Sequence, residues 1–200
     1  MAVLVVAEHE FGIISASAHH VVTAAVELAF ITAGEVHVLV AGDRCEEVAE
    51  TAAEISGVMK VICVATNAED GVLPSIVDVV SSQYRHIVFA ATPASTAFAE
   101  QLASMLNVKC VLNVVKVVSE DAFERDGEAG RVVVRCRDRV VVLTAEIATF
   151  PNAGRFGHAS IEVLKVKQEL PQRGLGHGAG RGGALRSSRT TLEMRLAVQE

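Results

Sequence analysis

Long apolar runs are missing from this 200-residue sequence. The stretches Val3–Ala7, Val38–Ala41, Ile87–Ala91 and Val140–Leu143 fall far short of the ~20 residues that a helix needs to cross a bilayer. They suit buried strands, and the chain is expected not to be membrane-inserted. The opening, Met1-Ala2-Val3-Leu4-Val5-Val6-Ala7 followed by Glu8-His9-Glu10, has no basic leader and no apolar stretch long enough for a secretory signal. Removal of a mitochondrial import peptide from a longer precursor is compatible with it. Cysteine is sparse: Cys45, Cys63, Cys110 and Cys136 form no Cys-x-x-Cys pair, so the ligand spacing of a structural zinc site is absent. Cysteines so scattered predict reduced thiols in or near the core rather than a disulfide framework. Positive charge is scarce in the body of the chain. Residues 171–200 hold five arginines against two acids, whereas the first 170 hold 13 basic and 22 acidic side chains, a balance of -9. An acidic body argues against nucleic acid as a partner. No Gly-x-x-x-x-Gly-Lys-Ser/Thr phosphate loop occurs.

What is present is a soluble globular composition, half apolar and 21% charged, in a chain long enough for one substantial domain or two small ones. The first 110 residues alternate between two textures. Apolar, β-branched strands are predicted at Val3–Ala7, Glu35–Val40, Met59–Ala65 and His86–Ala91. Helices are predicted between and after them, at Ser15–Ala33, Arg44–Ser56, Leu73–Gln83 and Ala94–Asn107. Val48, Ala52 and Ile55 recur at i, i+4, i+7, as do Phe98, Leu102 and Met105, so each set shares one helix face. Ser15 suits an N-cap, Gly34 and Gly57 suit stops, and Pro74 suits a first helical turn. Strands apolar on both faces need cover on both, which crossover helices of a parallel sheet supply. The expected fold class is α/β, a doubly wound and mostly parallel sheet.

After residue 110 the texture becomes strand-rich: Val111–Ser119, Arg131–Cys136 and Arg139–Ala145. Arg137-Asp138 reads as a tight hairpin and Asp126-Gly127 as another turn, which predicts an antiparallel β extension. Ile161–Lys167 alternates apolar and charged residues, as an edge strand does. The domain reading is 1–168 as the α/β domain and 169–200 as a Gly/Arg-rich linker, within which Thr190–Glu200 supports at most a weak helical turn or two.

Candidate chemistry is thin. Gly174-x-Gly176-x-x-Ala179 formally matches a dinucleotide fingerprint, but Pro171 precedes it and more glycines follow, so the strand and helix that it needs are missing. Arg181-Gly182-Gly183 is a single copy without aromatic neighbours, and linker is the stronger reading. Strand ends are the better place for a ligand: Glu8 and His9, Gly42 and Asp43, and Thr92-Pro93 converge on the crevice of an open α/β sheet. Glu8 beside His9 offers acid–base chemistry, yet without a nucleophile or metal-ligand set a hydrogen-bonded turn is the better account. His19 and His20 are adjacent on a helix and point ~100° apart, so they cannot grip one metal; one is expected exposed and one half-buried. Asp121, Glu124, Asp126 and Glu128 lack calcium-loop spacing and read as a solvated loop. No residue is assigned as catalytic, cofactor-binding or metal-ligating.

The order of short words says more. Val3-Leu4-Val5-Val6-Ala7-Glu8-His9, then Thr23-Ala24-Ala25, then Gly34-Glu35-Val36-His37-Val38-Leu39-Val40-Ala41-Gly42 resembles the start of electron-transfer flavoprotein alpha subunits. Cys45, Val48-Ala49, Gly57-Val58 and Lys60-Val61 continue the resemblance, which runs well to residue 110. It continues more weakly to Phe150 through Asp121-Ala122-Phe123 and Leu143-Thr144. Glu146 stands where the family commonly has arginine, and nothing after Pro171 resembles the flavin-holding domain. The resemblance implies an N-terminal domain with an adenine nucleotide alpha hydrolase-like fold, in an alpha subunit or a shortened form of one. It further implies a heterodimer with a beta subunit, an electron carrier rather than an enzyme. That carrier takes electrons from dehydrogenases, such as acyl-CoA dehydrogenases of fatty acid β-oxidation, to a quinone reductase through FAD. Such a protein resides in the mitochondrial matrix in a eukaryote and in the cytoplasm in a bacterium. FAD belongs to the full family protein, whose site lies chiefly in the C-terminal domain; this chain alone is not expected to retain it. The rival readings are a stand-alone nucleotide-binding α/β domain and a ligand-free partner-docking module.

Overall fold

The computed structural model describes residues 2–65, 83–127, 130–167 and 191–193. The predicted helix at 73–83, Pro74 and Glu128 therefore lie outside the described residues or nearly so, as do the glycine fingerprint and Arg181-Gly182-Gly183. Strands β1 (Ala2–Val6), β4 (Glu35–Gly42), β5 (Val58–Ala65), β6 (His86–Ala90), β7 (Cys110–Ser119), β8 (Ala122–Gly127), β9 (Gly130–Arg135), β10 (Val141–Ala145), β11 (Ser160–Lys167) and β12 (Thr191–Glu193) form one sheet. Its order is β12-β11-β5-β4-β1-β6-β10-β7-β8-β9. A separate hairpin pairs β2 (His9–Glu10) with β3 (Ile13–Ile14). The sheet is parallel from β11 through β7, so the expected doubly wound α/β class is the observed one.

Period-2 alternation divides the core into two layers. Val3, Val5, Val36, Val38, Val40, Val61, Val88 and Val141 face helices α1 (Ala16–Thr32) and α2 (Cys45–Ala53). Leu4, Val6, Leu39, Ile62, Ile87, Phe89 and Val142 face the other way, with α3 (Pro93–Leu106) among their cover. Helix α1 lies close to the sheet because its inward stripe is small, with Ala18, Ala24, Ala25 and Ala29 buried beside Val21, Val22 and Leu28. Ser15 caps it as expected, accepting from the Ser17 N–H, and the left-handed C-cap falls on Ala33, one residue before Gly34. In α2 Val48 and Ala52 are fully buried, as is Ile55 just past the helix end. In α3 the buried face runs through Ser95, Ala99, Leu102 and Ala103, and Met105 is exposed. Met105 thus does not share the packed face that its spacing suggested.

Three expectations after residue 110 are corrected. Arg137-Asp138 is not a hairpin turn, because β9 and β10 are not paired; β10 lies in the sheet interior, parallel to both β6 and β7. The cause is burial: all five residues of β10 are buried, which suits a central strand and not an added edge. The antiparallel extension is real but smaller, the meander β7–β8–β9. The acidic cluster is not a solvated loop, since Glu124 and Asp126 lie on β8, where Arg131 pairs with Glu124 at 3.7 Å and with Asp126 at 3.4 Å. Arg135 pairs with Asp121 at 3.3 Å. Such cross-strand charge pairs let acidic residues sit in an edge ladder. Finally, Thr191–Glu193 is a strand antiparallel to β11 and not a helical turn.

Candidate functional site: the strand-end cleft

The order of strands reverses between β1 and β6: the chain builds outward from β1 through β4 and β5, then returns to β1's other side as β6. In open α/β sheets ligands bind at the carboxyl ends of strands flanking such a reversal. A cleft of about 690 Å³ opens there, lined by Glu8, His9, Glu10, Phe11, Ile13, Ser95 and several apolar side chains.

Glu8 follows β1 and points into the reversal. Its Oε1 accepts hydrogen bonds from the Thr92 hydroxyl and from Ser95 Oγ at 2.7 Å. Its Oε2 accepts from Ser17 Oγ at 3.3 Å. Thr92 is the N-cap of α3, and Pro93 occupies the first helical turn, where its missing N–H costs nothing. Ser17 sits in the first turn of α1. His9 turns away from Glu8 and donates its Nε2–H to the Ala41 carbonyl at 3.0 Å. Gly42, at φ 137°, lets that ring approach; an added Cβ would lie 3.2 Å from Nε2. Glu8 and His9 thus serve different hydrogen-bond partners, and His9 opens strand β2 in place of the expected turn. Asp43 is exposed and does not line the cleft.

The cleft's outer wall is the β2–β3 hairpin, closed by a two-residue turn with positive φ at Phe11 (52°) and Gly12 (80°). Arg44 holds this turn, donating to the Phe11 carbonyl at 3.1 Å and pairing with Glu47. Phe11 and Ile13 are 79% and 71% exposed at its tip. Sequence reasoning missed Ser17, Ser95 and the hairpin. Gly12 between apolar residues was the signal for the hairpin; the serines carried none of their own, since their partner Glu8 is reached only across the fold.

The other titratable groups serve structure. His19 is buried and His20 half-buried, so neither is exposed as expected. Both rings donate through Nδ1, His19 to the Ala153 carbonyl at 3.0 Å and His20 to the Phe150 carbonyl at 2.6 Å. Together they peg the segment before β11 onto α1. Cys45 and Cys63 are bonded to each other, Cα to Cα 5.9 Å, which corrects the expectation of four reduced thiols. The reason is topological: α2 begins where β4 hands the chain back to neighbouring β5, so distant positions in sequence become adjacent. Burial pushes the free Cys110 thiol up to about 12 and raises that of Cys136, so neither is primed as a nucleophile. Among the described residues no cluster of His, Cys, Asp and Glu is arranged to hold a metal.

Fold and cleft together define an open, doubly wound α/β domain with its crevice at the strand-order reversal. A family model of the electron transfer flavoprotein domain matches residues 3–170. The chain is 35% identical over 171 residues to the electron transfer flavoprotein subunit alpha of Pseudomonas aeruginosa, across 81% of this chain and 53% of that one. It is 33% identical over 171 residues to the subunit alpha of Paracoccus denitrificans, across 80% and 53%. To the mitochondrial subunit alpha of Dictyostelium discoideum it is 31% identical over 167 residues, across 77% and 46%. The chain belongs to the electron transfer flavoprotein family, and it spans about half the length of these relatives.

The family name implies a flavin, and the cleft does not fit a flavin dinucleotide. A pyrophosphate needs helix N-termini and cationic donors free to meet it. Here the N-terminal hydroxyls of α1 and α3 serve Glu8, Glu10 adds a second carboxylate to the lining, and among the described residues no Lys or Arg lines the cleft.

Proposed function

We propose that this chain works as alpha-subunit material of an electron-transfer flavoprotein, a carrier and not an enzyme. In that role it joins a beta subunit and helps pass electrons from dehydrogenases, acyl-CoA dehydrogenases among them, through FAD to a quinone reductase. The compartment would be the mitochondrial matrix in a eukaryote or the cytoplasm in a bacterium. Among the described residues no helix is long and apolar enough to cross a membrane. The family match over residues 3–170, with subunit alpha relatives above 30% identity, carries this reading. The domain supports assembly, and the flavin is held by parts of the full protein beyond the cleft described above. Phe11 and Ile13 at the hairpin tip, with Phe30 and Phe156 elsewhere, are exposed apolar groups available for partner contact.

The test is co-expression of residues 1–200 with an electron-transfer flavoprotein beta subunit, followed by affinity and size-exclusion chromatography. A stoichiometric complex is expected. A monomer that ignores the beta subunit at high concentration would favour a stand-alone domain instead.

A further inference from the structure

The Glu8 carboxylate accepts hydrogen bonds from three hydroxyls at the strand-order reversal. Helices α1 and α3 pack on opposite faces of the sheet. Their first turns nevertheless converge on one carboxylate, because β1 and β6 are neighbours and each leads toward one of them. Ser17 donates from the α1 side, and Thr92 and Ser95 donate from the α3 side. The relay is ordered. Thr92 Oγ1 accepts the Ser95 N–H at 3.2 Å while donating its own proton to Glu8, and Ser15 Oγ accepts the Ser17 N–H at 3.3 Å. Each helix also turns its positive dipole end toward the same point. A helix N-terminus at a sheet reversal is where open α/β sheets hold ligand phosphates.

We infer that Glu8 is a built-in anion that determines the specificity of this cleft by excluding phosphate-bearing ligands. Its carboxylate takes the hydroxyl donors that a phosphate would use. An arriving phosphate must displace a covalently tethered competitor or lie beside it, carboxylate against phosphate, with Glu10 adding repulsion from the same lining. Among the described residues the nearby cations are already engaged: Arg44 is committed to Phe11 and Glu47, and the His9 ring to Ala41. The remaining wall, with Phe11, Ile13, Ile14, Phe89 and Phe98, accepts uncharged or apolar groups. The fold thereby keeps the scaffold of a nucleotide site while refusing the nucleotide.

Inorganic phosphate and AMP are the probes, titrated into the wild-type chain, Glu8→Gln and Glu8→Ala, with the backbone amides of Ser17, Thr92 and Ser95 followed by NMR. The wild type should show no saturable shift at those amides up to ten-millimolar probe. Glu8→Ala should bind AMP at least tenfold more tightly than the wild type, with Glu8→Gln between them because its amide restores an acceptor without the charge. Wild-type shifts that saturate at these three amides would overturn the inference. So would variants that stay folded and bind neither probe better than the wild type. If Glu8→Ala does not fold, Glu8→Gln decides; if neither folds, the wild-type titration does.

Discussion

His86, fully buried in the central strand β6, donates its Nε2–H to the carbonyl of Glu120 at 2.8 Å and so ties the sheet interior to the turn between β7 and β8. Burial, the largest influence, pushes its pKa below the ordinary histidine value despite that hydrogen bond. His37 is shifted the same way, again chiefly by burial, with its Nδ1 meeting the Tyr84 hydroxyl at 2.7 Å. The folded state therefore binds fewer protons than the unfolded state as pH falls below about 6.5. Stability should be flat above that pH and decline below it, down to the depressed folded values. Urea denaturation between pH 8 and pH 5 checks this, and His86→Gln should make the decline shallower. A midpoint that rises on acidification would contradict the burial argument.

Gly57 sits at φ 93° between α2 and β5, and an added Cβ would lie 2.6 Å from Val26 Cγ2. Replacement by alanine strains the backbone and forces the flank of α1 to move. A loss of about 2 kcal/mol is expected for Gly57→Ala from the left-handed conformation and the contact together. Differential scanning calorimetry against Gly130→Ala, whose Cβ would meet nothing within 4 Å, separates contact from backbone strain.

The Cys45–Cys63 bond joins the start of α2 to the middle of β5 across 18 residues of sequence. Thiol titration under denaturing, non-reducing conditions should count two free thiols, Cys110 and Cys136, and four after reduction. Cross-linking a loop of this size restricts the unfolded chain by roughly 3 kcal/mol in the chain-entropy account. Cys45→Ala with Cys63→Ala should therefore lower the urea midpoint. Four free thiols before reduction would remove the basis for this expectation.

Legibility in the sequence followed the range of the interactions. Helix α1 was readable almost to the residue because Ser15 before it and Gly34 after it are local signals. Strand β10 was readable as a buried strand from Val140–Leu143, but its seat between β6 and β7 was not, since a five-residue apolar run says nothing of which neighbours it takes. The hairpin reading at Arg137-Asp138 gave turn chemistry more weight than that burial. Disulfide pairing and the histidine pegs failed for the same reason: Cys45 with Cys63, and His20 with Phe150, are neighbours only after folding. At the cleft, Glu8 and Thr92 were marked by their places after strands, while Ser17 and Ser95 acquired meaning only once two helices were seen to aim at one carboxylate.

A flavin titration of residues 1–200 alone, followed by quenching of FAD fluorescence and repeated with the beta subunit and a full-length alpha subunit, tests whether this domain holds flavin. The isolated chain should leave the fluorescence unchanged at micromolar concentrations, because its strand-end cleft offers a carboxylate where a pyrophosphate would need donors. The full assembly should quench it. Micromolar or tighter FAD binding by the isolated chain would contradict the assignment of this domain to assembly and not to cofactor retention.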